Sequence, residues 1–433
     1  MTLNIRRQIQ HLAMPESEVL RLLGEIELAF EKTWLESHHP GHRIKSVWQR
    51  TDALATTELV TLGDAISIFR ERDPHWLSQR VRDIKRNTNN CHGYIFELLA
   101  SAMIARTGLK IYPTHKNAPG IDAILQFDDG FEINLSFKNH DASSHEREFI
   151  SLCSKARARV RSKLRKFTNT VIVFIDSHSY LTNASWDAIN RHIDAMPAGG
   201  AQPLCTTDLP DNGYIMTGDL MPSSEIARLS KSHLSDTFFA LCGWHRNEQE
   251  NIKSKLSAAL SNLARHTKRS GNSANFVMLR LNKTADLELM AEHAREILDE
   301  SLDSTIDGII FYQASVTRAS DVSQVSHHMK LILRRNFTDR AHVIPFAVLV
   351  GVVSPQASRL ELRSATGETY QIRERYIFQE GDHYYATPPI EQNPTFILSS
   401  VAPGVRTHAV LGGSSGEITL SGIFPPTDDL VLL

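Results

Sequence analysis

Residues 131–139, Phe-Glu-Ile-Asn-Leu-Ser-Phe-Lys-Asn, alternate apolar and polar without interruption. A period of two fits a strand with one buried face and little else. Phe131, Ile133, Leu135 and Phe137 share one side, and Glu132, Asn134, Ser136 and Lys138 share the other. A slip of one residue would put the four polar groups in the core, so the register is fixed. Upstream, Asp128-Asp129-Gly130 is a hairpin signal, and Ile121 to Phe127 is a strand that opens with Asp122. Asn117, Pro119 and Gly120 mark a turn, and Lys110 to Pro113 a short strand. Before them Tyr94 to Arg106 reads as a helix, apolar nearly all round, with Glu97 its only acid and Gly108 where a C-cap glycine belongs. The stretch 91–141 is therefore expected as helix, strand, turn, strand, turn, strand. Its apolar row packs on the Glu97 helix, and its polar row faces solvent or a reaction.

A helix glutamate, then Gly-Ile-Asp, then a hairpin, then a strand ending in lysine resembles the PD-(D/E)xK nuclease superfamily. The resemblance spans residues 91–141 of the 433. It implies a restriction-endonuclease-like fold and a divalent cation, Mg²⁺ or Mn²⁺. It assigns Asp122 as the metal aspartate, Glu97 as a second member of the metal shell, and Lys138 as the group that orients or deprotonates the attacking water. The acid expected two residues before the lysine is Ser136 in this chain. There a hydroxyl would bind a metal water or a phosphate oxygen. Glu132 cannot replace it, because six residues of strand put it about 20 Å from Lys138. Asp141 and Glu146 are the other candidates, and Mg²⁺ keeps several waters, so Asp122, Glu97 and a backbone carbonyl could suffice. The chemistry wants these groups because phosphodiester cleavage needs an activated water and a neutralised transition state.

The formal net charge is −2, so no global basic field advertises a polyanion and any such binding is local. The densest basic run is Lys155 to Lys166, seven positive charges in twelve residues on a helix expected from Ser144 to Phe167. Like charges at i,i+4 repel, and a polyanion would offset that cost. Arg157, Arg159, Arg161, Lys163 and Arg165 are its candidate nucleic-acid contacts, with DNA the first partner and RNA the second. A smaller cluster, Arg80, Arg82, Lys85 and Arg86, is either a solvated helix face or a phosphate contact beside the site.

The remaining chain supports an α/β protein with a restriction-endonuclease-like mixed sheet flanked by helices. An N-terminal helical region is expected over 1–90, the nuclease-like core over 91–200, a second α/β region over 201–340 that either continues the core or stands alone, and an antiparallel β region over 341–433. Val322 to Asn336 reads as a last helix, Pro197 to Gly213 as a loop, and the pairs His38-His39 and His327-His328 as surface residues. Four scattered cysteines without a CxxC pair, no signal-peptide pattern and no apolar run of membrane length point to a cytoplasmic chain with no membrane partner. Phosphate-loop, dinucleotide and nucleophile-elbow motifs are absent. The expected activity is Mg²⁺-dependent hydrolysis of DNA, as in defence against foreign DNA. The alternative is an inactive nuclease fold that grips nucleic acid or a protein partner. The N-terminal helices or the C-terminal β region would then mediate protein contacts, homodimeric or otherwise.

Overall fold

A computed structural model describes residues 14–37, 42–50, 53–86, 90–114, 119–140, 142–164, 170–197, 205–222, 236–268, 270–282, 284–300, 305–319, 322–335, 337, 352–353, 360–363, 369–372, 374–381, 408–413, 416–421, 430 and 432. Six helices come first: α1 (Glu16–Phe30), α2 (Lys32–Glu36), α3 (Arg43–Gln49), α4 (Ala53–Arg72), α5 (Pro74–Arg86) and α6 (Cys91–Ala105). Val19, Leu22, Leu23, Ile26 and Phe30 give α1 a buried stripe at helical spacing. Asp73 and Pro74 start α5: the Asp73 carboxylate accepts the Trp76 amide at 2.9 Å, and proline fits the first helical position because no amide is needed there.

The strands that follow are β1 (Lys110–Pro113), β2 (Ala123–Gln126) and β3 (Glu132–Asn139). They run antiparallel to one another, and β3 is then joined in parallel by β8 (Ser273–Arg280). Beyond it lie β9 (Gly308–Ala319), β10 (Val322–Leu333) and β11 (Val352–Val353), giving the order β1-β2-β3-β8-β9-β10-β11. Alternation along each strand divides the core. Ile133, Leu135, Phe137, Phe276 and Met278 face the N-terminal helices. Val277, Leu279, Ile309 and Phe311 face α9 (Glu248–His266) and α10 (Leu287–Glu300). Burying a side chain such as Phe137 contributes about 2 kcal/mol.

Between β3 and β8 the chain builds a second sheet. It contains β4 (Thr170–Ser177), β5 (Cys205–Leu209), β6 (Gly213–Pro222) and β7 (Asp236–Gly243). β4 pairs with β7 in parallel and with β6 antiparallel, the central place its continuous apolar sequence predicts. Helices α7 (Ser144–Leu164) and α8 (Asn183–Ala195) cover one face, with Phe149, Cys153, Ala156 and Val160 against Val171, Val173 and Ile175. The later strands β14 (Arg375–Gly381), β15 (His408–Gly413) and β16 (Gly416–Ser421) extend this sheet, while β12 (Leu360–Arg363) and β13 (Thr369–Ile372) form a two-stranded pair. The protein is thus mixed α/β with two mixed sheets.

Several local expectations change. The segment from Val322 is a strand, paired residue for residue with β9 over twelve positions. Its apolar residues also fit a helical spacing, and the long partner strand decides the outcome. His327 and His328 are consequently buried, and the His327 ring lies 2.7 Å from the Tyr312 hydroxyl. Pro197 to Gly213 holds β5, and the C-terminal β13 and β14 lie in different sheets. The C-terminal strands β14 and β15 pair with β7 and β6 rather than only with each other. His38 and His39 lie outside the described residues.

Candidate active site

The turn before β2 sets the first site residue. Gly120 has φ +82°, and a Cβ there would stand 2.7 Å from the His266 ring, so only glycine fits without displacement. The Asp122 amide donates to the Leu135 carbonyl at 2.8 Å, which places its side chain opposite the end of β3. Its Oδ2 there accepts three bonds. The Phe137 amide donates at 2.7 Å, the Lys138 ammonium at 3.1 Å and the Ser136 hydroxyl at 3.2 Å. Lys138 Nζ also donates to the Phe137 carbonyl at 3.0 Å. The resemblance called for Asp122 and Lys138 to share a pocket, and the structure brings them together with Ser136.

Glu97 arrives from α6, which crosses the apolar face of β3 with Phe96 edge-on to Phe137 at 6.1 Å. Arg80 of α5 holds the Glu97 carboxylate at 2.6 Å. Its guanidinium stacks 4.8 Å from the Tyr94 ring and 5.3 Å from that of Trp76. Burial first, and then the nearby charge of Asp122, push the Glu97 carboxyl up to about 7 against the opposing pull of Arg80 and Lys138. The charge of Asp122 thus acts on Glu97, and each carboxylate has its own cation, Lys138 for Asp122 and Arg80 for Glu97.

The other candidates are placed as follows. Ser136 is fully buried and Asn134 bonds Asn275 of β8 at 2.8 Å. Glu146 is held by Asn282 at 3.1 and 3.3 Å, and Asp141 lies outside the described residues. On α7, Arg159 pairs with Asp194 at 3.3 Å, and Lys163 donates to the carbonyls of Asp194 and Met196 at the end of α8. Arg157 and Arg161 also have partners, and Arg165 lies outside the described residues. Two participants escaped the sequence reading. The Phe137 amide carries no side-chain signature, and Arg80 was visible only as one member of a basic cluster.

Among the described residues, no set of three His, Cys, Asp or Glu side chains gathers as a metal-binding group. No helix among them is long and apolar enough to cross a membrane. Comparison with protein-family models, with curated proteins and with solved structures finds no match.

Proposed function

We propose that this chain is a Mg²⁺-dependent nuclease of restriction-endonuclease-like fold that hydrolyses phosphodiester bonds of DNA. One observation carries the reading: Asp122, just before β2, and Lys138 of β3 meet at 3.1 Å, and the charges of both act on Glu97 of α6. The residues present suit a hydrated hard cation. Asp122 and Glu97 repel one another, a cation between them would relieve that repulsion, and Mg²⁺ is commonly held by one or two carboxylates with waters completing the shell. When bound, such an ion neutralises developing charge and acidifies water.

The chain's own groups supply the rest. An ammonium has three hydrogens, and Lys138 directs two of them to Asp122 and the Phe137 carbonyl. The third is left for a water or a phosphate oxygen. Ser136 gives its proton to Asp122 and, being fully buried, braces that carboxylate from within the fold. Glu97 can exchange a proton near neutrality, the range in which general acid-base catalysis is most effective. The test is a labelled duplex incubated with the full chain in Mg²⁺ and in EDTA. Fragments should form only with Mg²⁺, and Asp122→Asn should form none.

A second reading, binding without cleavage, is favoured by Ser136 and by the pairing of each carboxylate with a cation, Lys138 or Arg80. It predicts salt-sensitive gel shifts and no metal-dependent fragments.

A further inference from the structure

We infer that Thr114 is a positioning residue for Asp122: its hydroxyl and its amide hold the peptide from which that carboxylate hangs. This rests on the reading of Asp122 as the carboxylate that meets the cation. Thr114 directly follows β1 and stands one place beyond the Pro113–Ala123 pair of the β1–β2 ladder. Its side-chain hydroxyl donates to the Ile121 carbonyl, and its amide donates to the Asp122 carbonyl at 3.0 Å. On the other side, the Asp122 amide donates to the Leu135 carbonyl of β3 at 2.8 Å. The peptide between residues 121 and 122 therefore has its oxygen tied to the end of β1 and its N–H tied to β3. Ile121 adds a side chain packed on the core beneath α9 and α10.

The residue before this peptide shows why it needs holding. Gly120 sits at φ +82° without a side chain, and glycine leaves the chain a wide choice of backbone angles. A turn built on it does not by itself fix the peptide that follows. The carboxylate shows why the direction matters. Its Oδ2 takes the Phe137 amide, the Ser136 hydroxyl and the Lys138 ammonium. Among the described residues Oδ1 accepts no hydrogen bond, so it is the oxygen left for a cation or for that cation's water. A rotation of the 121–122 peptide would swing Oδ1 away and pull Oδ2 off its donors together. Thr114→Val keeps the β-branched shape and deletes only the hydroxyl donor. Thr114→Ser keeps the donor and deletes only a methyl.

The experiment compares both variants with wild type as full chains, by two readouts. The first is hydrogen exchange in EDTA, followed by mass spectrometry over residues 119–127. Thr114→Val should exchange about fivefold faster there, the effect of one lost hydrogen bond, while Thr114→Ser exchanges as wild type does. The second is plasmid nicking in Mg²⁺. Thr114→Val should lower kcat at least about tenfold and leave KM for the plasmid unchanged, because a carboxylate out of place harms the reacting geometry and not the hold on the substrate. Thr114→Ser should restore kcat. Circular dichroism checks that both variants fold. Exchange in Thr114→Val equal to that of wild type, or a Thr114→Ser protein as impaired as Thr114→Val, would overturn the assignment. A wild type that never cuts rejects the nuclease reading, and the exchange ratio then upholds or rejects Thr114 by itself. Cleavage by wild type and Thr114→Val alike rejects the positioning role and leaves the nuclease reading standing.

Discussion

Lys138 Nζ stands 3.1 Å from Asp122 Oδ2, the same oxygen that takes the Phe137 amide and the Ser136 hydroxyl. Sixteen residues separate the two in sequence, and the β2–β3 ladder closes that gap. The pair is partly open to solvent, so it adds little to stability and its value lies in placing a positive charge beside a carboxylate. Lys138→Ala should change unfolding free energy by no more than about 1 kcal/mol, because Asp122 keeps two other donors. Urea titration checks this. A loss of several kcal/mol would mean the lysine is a structural anchor.

Ser136→Asp restores the acid that the motif expects. It also puts a third carboxylate against Asp122 in a fully buried position. Without metal the variant should lose about 1–3 kcal/mol, and millimolar Mg²⁺ should raise its melting temperature more than it raises that of the wild type. Differential scanning fluorimetry with Mg²⁺ and with EDTA reads both. No extra gain with Mg²⁺ would argue against an ion at this place.

Two groups, the half-buried Glu97 and the buried His327, give opposite pH dependences. Glu97 is raised to about 7 in the fold from 4.5, so the native state holds the extra proton and stability falls as pH rises from 4.5 through 7. His327 is lowered to about 4 from 6.5 by burial and by His328, so the unfolded chain holds the extra proton. Stability from His327 is therefore lost as pH falls from 6.5 through 4. Each window is worth about 3 kcal/mol at most. In Glu97→Gln, stability should rise with pH across this range. In His327→Gln it should fall. Denaturant midpoints at pH 4.5 and 7 distinguish the two signs.

Arg80 holds Glu97 while its own guanidinium lies over the Trp76 and Tyr94 rings. Arg80→Met should raise the Glu97 carboxyl above its present value, because the guanidinium is what pulls it down. Infrared titration of the carboxyl band follows this directly. An unchanged titration would show that burial and Asp122 set the value by themselves.

The site was legible because it is local. Helix, turn and two strands lie within residues 91–141, and period-two alternation fixed which side each residue takes. What lay outside local pattern was harder to see. β8 and β9 join the sheet of β3 across β4 to β7 of the second sheet, and no short-range signal encodes that pairing. β10 resembled a helix because its apolar residues fit both periods, and the β9 register decided. Arg80 could not be assigned to Glu97 without knowing how α5 crosses α6. The basic run on α7 looked like a nucleic-acid track because its partners at the end of α8 are more than thirty residues away in sequence.

The most direct measurement is single-turnover conversion of supercoiled plasmid to nicked circle, with wild type beside Asp122→Asn and Lys138→Ala. The account predicts nicking by the wild type in Mg²⁺ only, and a loss of at least about a hundredfold in each variant. Equal nicking by all three proteins, or nicking that persists in EDTA, would contradict it.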